Sequence, residues 1–298
     1  MSIHSYIQIA YGIPSLIFYI IVIKIVSEKR KHFSLPFLRL FYALAVINLL
    51  CYSIIMICFR IPKQLTPDCK LYQFLISIDP THLLAVALFT AHYCFYCQGI
   101  ITFHFVLLTM RSVLFPFSNP IWETSSSVWA CTTFLPPLLF TAGILAKKSF
   151  YGFGFDGVGL TIKFPESDQT NQLHYFIAAS IFEMIINAMS LTMNIITISV
   201  LCRRQIPVHC RKERPLFFLT LAHFIVQVLR SSTEFTIILA PDHSRIQMAA
   251  ITVLQYFIDF VCLQPPYAFL MLNSVVRKSI CMKIRCREKK FDALPSSL

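Results

Sequence analysis

Glu183, Asn187, Ser190, Asn194 and Thr197 recur at helical spacing inside an otherwise apolar run. Thr220, His223, Gln227, Arg230 and Glu234 do the same in the next run, and Thr252, Gln255, Asp259, Cys262 and Pro266 in the one after. Intervals of three and four place each set on one helical face. Polar side chains within apolar runs are costly in lipid, so they turn toward protein or water. Three such stripes on consecutive helices predict a shared polar interior. Two roles fit Arg230. It anchors an acidic or hydrogen-bonding ligand, or it pairs with Glu234, Glu183 or Asp259 and ties helices together, since buried charges pair. The candidate ligand-binding residues are His92, Glu183, Asn187, Gln227, Arg230, Glu234, Gln255 and Asp259.

Other reactive residues point nowhere in particular. His82, His92 and His104 are ten and twelve residues apart, too scattered to converge on a metal. Cys94 and Cys97 share a face without a second pair and read as packing residues. No HExxH, GxSxG or phosphate-loop pattern occurs. The expectation is therefore no metal, no cofactor and no catalytic site.

The elements that carry the stripes follow from composition. Of 298 residues 56% are hydrophobic and only 13% charged, against about 25% charged in soluble domains. The apolar residues are gathered in runs long enough to cross a ~30 Å hydrocarbon layer as helices. Seven runs qualify, at about 7–26, 40–59, 82–110, 128–146, 175–201, 216–240 and 246–272. Backbone groups cannot remain unpaired in lipid, so the expected fold is an all-α membrane protein, a seven-transmembrane helix bundle. The bundle takes residues 1–273, and residues 274–298 form a basic tail. The start reads as a first span, since it has no basic n-region and no small-residue cleavage site. The net charge of +12 is no nucleic-acid signal, because Lys and Arg sit at the edges of apolar runs.

That edge charge sets a direction. Seventeen Lys and Arg flank the runs on one side, among them Arg111, Arg203, Arg204, Arg211, Arg214 and seven in the tail. Seven lie on the other side, Arg60 and Lys63 included. The richer side is cytoplasmic, which puts the N-terminus outside and the C-terminus inside. Most of the eleven Cys fall in apolar runs, which argues against a secreted disulfide framework. Cys281 and Cys286 in the tail are candidate palmitoylation sites.

Four segments carry a family resemblance: YGIPSLIFYI at 11–20, FLRLFYALAVINLL at 37–50, LTMRSVLFP at 108–116 and PPYAFLMLNSVVRKSI at 265–280. In order and spacing they resemble the nematode serpentine chemoreceptors of the gamma class and their close relatives. The resemblance implies a G-protein-coupled receptor in the plasma membrane of sensory neurons, answering a small-molecule ligand from outside through a heterotrimeric G protein. By position, Arg111 matches the arginine that helps engage the G protein. The loop RRQIPVHCRKERP at 203–215 would join it, with Arg203, Arg204, Arg211 and Arg214 suited to an acidic partner and to membrane lipid.

Several features depart from rhodopsin-like receptors. Met110 precedes that arginine in place of an acid, the sixth run lacks an interior proline, and NPxxY is absent. The disulfide that the resemblance implies for Cys69 has no partner in Lys147–His174, which contains no Cys. The alternatives are a seven-helix ligand-gated channel, which requires the reverse topology, and a small-molecule transporter, which an odd span count and the missing internal repeat disfavour.

Overall fold

The computed structural model describes residues 3–65, 67–78, 81–114, 126–153, 160–165, 169–203, 214–241, 244–273 and 276–281. Helix α1 runs Ile3–Glu28 and α2 Leu35–Ile54; α2 continues through a π-helical turn, Ile55–Arg60, into a last turn Ile61–Lys63. A short helix α3 (Lys70–Ser77) follows, then α4 (His82–Leu114), α5 (Ser126–Leu145), α6 (Gln169–Arg203), α7 (Arg214–Leu239) and α8 (Arg245–Leu272). Between α5 and α6 lies an antiparallel hairpin, β1 (Phe150–Phe153) with β2 (Leu160–Lys163).

Among the described residues, six helices are long and apolar enough to cross a membrane: α1, α2, α4, α5, α6 and α8. The chain is a multi-pass membrane protein. Helix α7 is as long as α1, but His223, Gln227, Arg230 and Glu234 interrupt its apolar residues. All four are buried, and α7 packs against α4, α6 and α8. Its low apolarity therefore reflects the face turned inward, while Phe218, Ile225 and Leu229 point out.

Helix α4 occupies the middle, against α2, α5, α6 and α7, while α1 closes the ring against α2 and α8. Lipid tails are as apolar as Leu, so packing and polar contacts rather than water exclusion must hold such helices together. One core lies at the end opposite the hairpin, where Phe37, Phe41, Phe105 and Phe269 meet with ring centroids 5.2–5.9 Å apart. Such aromatic pairs contribute about 0.5–1.5 kcal/mol each beyond area burial. Helices α1, α5 and α8 run through Pro14, Pro136-Pro137 and Pro265-Pro266.

The helices overrun the predicted spans. Helix α2 begins at Leu35, five residues early, after Ser34 and with Pro36 in its first turn, where a missing N–H costs nothing. Helix α6 begins at Gln169 rather than Tyr175. Apolarity marks the lipid-facing stretch, and the polar first turns extend past it.

The segment 147–174, expected as a loop, contains the hairpin, so the chain is not wholly α-helical. Phe150 pairs with Lys163 and Phe153 with Leu160. Thr81 and Ser149 join the hairpin to the start of α4 through two backbone hydrogen bonds of 2.8 and 3.0 Å. Tyr151, Leu160, Ile162 and Phe164 pack with Tyr72 of α3 and with Leu84 and Leu88 of α4. The Tyr151 hydroxyl donates to the Cys58 carbonyl (3.2 Å). The hairpin is thus built onto the bundle end.

Candidate functional site

Most residues of the polar stripes turn to the bundle interior. Glu183, Ser190, Asn194 and Thr197 of α6 are buried, as are Thr220, His223, Gln227, Arg230 and Glu234 of α7. On α8, Asp259 and Cys262 are buried and Gln255 half-buried, but Thr252 is exposed and bonds the Met248 carbonyl of its own helix. Thr252 does not belong to the interior stripe; its hydroxyl finds a partner one turn back and needs none across the bundle.

Arg230 is 1% exposed and gathers a cluster around it. Its Nη2 pairs with Glu183 Oε1. Its Nη1 donates to Gln98 Oε1 at 3.3 Å, and its Nε lies 3.4 Å from Glu234 Oε1. The guanidinium also stacks on Phe95, 4.8 Å from the ring centre. Glu183 is held further by Ser231 Oγ, which donates to Oε2 (2.9 Å), and Asn187 Nδ2 donates to that same hydroxyl (3.0 Å). Of the pairings open to Arg230 in the sequence, those with Glu183 and Glu234 form.

Asp259 belongs to a second cluster instead. Arg60 Nη2 lies 2.5 Å from Asp259 Oδ1, and the Tyr11 hydroxyl donates to Oδ2. Arg60 Nη2 also donates to the Gln255 carbonyl (2.9 Å). Arg60 is 4% exposed. The charge pattern assigned it to a loop edge, whereas the structure puts it inside. The π-helical turn is the cause. An i→i+5 turn holds one residue more than an α turn. It therefore shifts the register of the helix face at the end of α2, where Arg60 meets α8.

A relay of side-chain hydrogen bonds reaches from the Arg230 cluster across the bundle. Gln98 Nε2 donates to Asn48 Oδ1 (2.8 Å) and lies 3.4 Å from Cys262 Sγ; Asn48 Nδ2 donates to the Tyr19 hydroxyl (3.2 Å). Residues of α1, α2, α4, α6, α7 and α8 are thereby connected. Sequence reasoning missed Asn48, Gln98 and Tyr11. Asn48 and Gln98 are polar residues in apolar runs, and the rule applied to the last three spans would have found both.

At the hairpin end these clusters border a cavity of about 320 Å³. Its walls come from α2, α4, α6, α7 and α8, with Thr161 of β2 at the rim. Four predicted residues line it: His92, Glu183, Glu234 and Gln255. Arg60 and Lys63 line it as well, amid Phe59, Phe95, Leu254 and Ile258. Arg230 stands behind the two carboxylates and is not part of the wall. Asn187 is linked to the cavity wall through Ser231 and then Glu183, and Gln227 is buried away from it with its Nε2 unpaired among the described residues. Asp259 instead borders a larger apolar groove of about 960 Å³ between α1, α7 and α8, with Tyr11, Ser15 and Tyr267. The volume of the smaller cavity and its apolar walls with few polar groups are those of a small-molecule site.

The predicted G-protein residues are dispersed. Arg111 lies near the end of α4, half-buried and engaged, and Arg203 is exposed as the last residue of α6. Both helix ends lie at the end of the bundle away from the hairpin. Arg214 opens α7, with its side chain outside the described residues; Arg204 and Arg211 lie outside them altogether. So do 282–298 of the tail, Cys286 included, while Cys281 is described and exposed. Cys69 is half-buried and free. Among the described residues no group of three or more His, Cys, Asp or Glu converges on a metal position.

No curated protein matches the chain significantly. The sequence model of the Srg family chemoreceptors matches residues 5–280, from the first turn of α1 to beyond α8. This covers the cavity, both ion clusters and all four segments that carry the serpentine resemblance, and on that extent of agreement the chain belongs to the Srg family of chemoreceptors.

Proposed function

We propose that this chain is a seven-span chemosensory receptor of the plasma membrane, N-terminus outside, that detects a small molecule and signals through a heterotrimeric G protein. The observation that carries the reading is the cavity at the hairpin end, walled by five helices, three of which bring a buried charged residue to it: Arg60 of α2, Glu183 of α6 and Glu234 of α7. Helix α7 counts as the seventh span, since its polar residues are turned inward. The charge bias makes the hairpin end extracellular.

In this reading a ligand enters beneath the hairpin and touches His92, Glu234 and Gln255. Glu183 and Arg230 hold that wall in shape, Asn187 and Asp259 tie the helices beneath it, and Gln227 packs in the interior below. A ligand that binds one arrangement of α4, α6 and α7 better than another shifts the population between them. Arg111, Arg203, Arg204, Arg211 and Arg214 then meet the G protein at the opposite face. The reading assigns the chain no catalytic role.

Tags at the N-terminus and after Leu298, probed in intact and permeabilised cells, test the topology. An exposed N-terminus with a protected C-terminus is expected; the reverse would favour a channel. For coupling, Arg111→Ala and Arg203→Ala should lower nucleotide exchange on a co-purified G protein while ligand binding is unchanged. Unaltered exchange in both would remove them from the G-protein face.

A further inference from the structure

The Arg230 cluster holds two carboxylates and one guanidinium, so by formal charge it has one acid more than it has bases. The two acids are not alike. Glu183 has both oxygens engaged, by Arg230 and by Ser231. Glu234 is 7% exposed, and no hydrogen bond reaches its carboxylate among the described residues; its one ion pair is the 3.4 Å approach of Arg230 Nε. Both line the cavity, but only Glu234 faces it with its acceptors unfilled. The other charges at the wall are accounted for. Arg60 is matched by Asp259, and Lys63 at the half-buried end of α2 is itself engaged. Much of the remaining cavity wall is apolar and aromatic, with Phe59, Phe95, Leu254 and Ile258.

We infer that the ligand of this cavity is an apolar amine, its protonated nitrogen paired with Glu234 and its hydrocarbon body against Phe59 and Phe95. The inference rests on the receptor reading for the identity of the site as a ligand site. The chemistry is that of the wall itself. A buried carboxylate without hydrogen bonds is left short of donors, and a charged N–H group supplies them at the strength of a charge-assisted bond. An anionic ligand would meet two carboxylates, with the Arg230 guanidinium behind them and the Arg60 of the wall already held by Asp259.

The test is binding to the purified full-length chain in lipid nanodiscs, with three probes of one shape: 2-phenylethylamine, 2-phenylethanol and 3-phenylpropionate. The amine should bind at least about tenfold more tightly than the alcohol, the increment of one charged hydrogen bond, and the acid should bind least. Glu234→Gln should erase the amine's advantage and leave the alcohol unchanged. Equal affinity for amine and acid, an undiminished amine in Glu234→Gln, or no amine binding at millimolar concentration would each overturn the assignment. If Glu234→Gln does not fold, Glu234→Asp serves, since it draws the carboxylate back by one methylene; it should reduce the amine's affinity and spare the alcohol's, and an unchanged amine affinity would overturn the assignment. Nucleotide exchange on a G protein in the same preparation separates the two claims. Amine binding without exchange removes the receptor reading and leaves the amine site.

Discussion

Arg60 and Asp259 lie 2.5 Å apart at the contact between the end of α2 and the middle of α8. Both are buried, and Tyr11 of α1 binds the other oxygen of the same carboxylate. Three helices meet on one carboxyl group. The pair fixes where α8 sits relative to the cavity, because Gln255, one turn nearer the hairpin, lines the cavity and gives its carbonyl to Arg60.

Removing one partner of such a pair leaves a buried charge alone and costs about 3–5 kcal/mol. Arg60→Ala and Asp259→Ala should each lose surface expression and melt well below the wild type. Arg60→Met with Asp259→Leu should recover much of the loss, because an apolar pair of similar size leaves no orphan charge. Fluorescence-detected melting of solubilised protein decides it; a double variant no better than either single one would refute the pairing as the cause.

Glu183 and Glu234 flank the same guanidinium but should behave differently. Glu183→Gln weakens the close ion pair with Arg230 and disturbs the Ser231 bond, so a fall in thermal stability of several degrees is expected. Glu234→Gln removes only a 3.4 Å contact and the excess acid, so stability should hold or rise. Equal losses in the two melting curves would contradict the asymmetry.

Gly12 in α1 faces the ring of Tyr52 in α2 so closely that a Cβ there would overlap the tyrosine hydroxyl and sit 3.0 Å from Cζ. Tyr52 is 3% exposed and cannot swing away freely. Gly12→Ala should cost about 1–3 kcal/mol, the usual penalty for overpacking. Adding Tyr52→Phe, which deletes the overlapping oxygen, should return part of it. Thermal melts of the single and double variants measure the coupling.

Tyr151 joins the hairpin to α2 through its bond to the Cys58 carbonyl. Burial, with a smaller contribution from the Cys58 thiol, pushes its phenol up to about 12 from an ordinary value of 10. The folded value lies above the unfolded one, so the contribution to stability is complete below pH 10 and fades as pH rises toward 12. The melting difference between wild type and Tyr151→Phe should therefore be constant up to pH 9 and shrink above 10. A difference that does not change across that range would mean the phenol is not held by the fold.

The sequence by itself determined the membrane class, the helical bundle and the interior stripes. Each follows from local spacing: twenty apolar residues dictate a helix in lipid, and intervals of three and four decide which side of it is polar. Glu183, Arg230 and Glu234 were legible for that reason, and the family through the resemblance of four segments rather than through spacing. Only the tertiary structure decided which stripe residues meet. Asp259 pairs with Arg60 because a π turn rotates the end of α2, a backbone event that leaves no periodic mark in IMICFR. The hairpin in 147–174 was illegible because strands of four residues give too short an alternation to separate from a loop. The exchange of roles at the cavity wall is also tertiary. Arg230 is the largest polar side chain in its stripe, yet packing encloses it and leaves Glu234 to face the open volume. Pairing in three dimensions depends on how helices are rotated and stacked, and spacing along one helix carries no information about its neighbour.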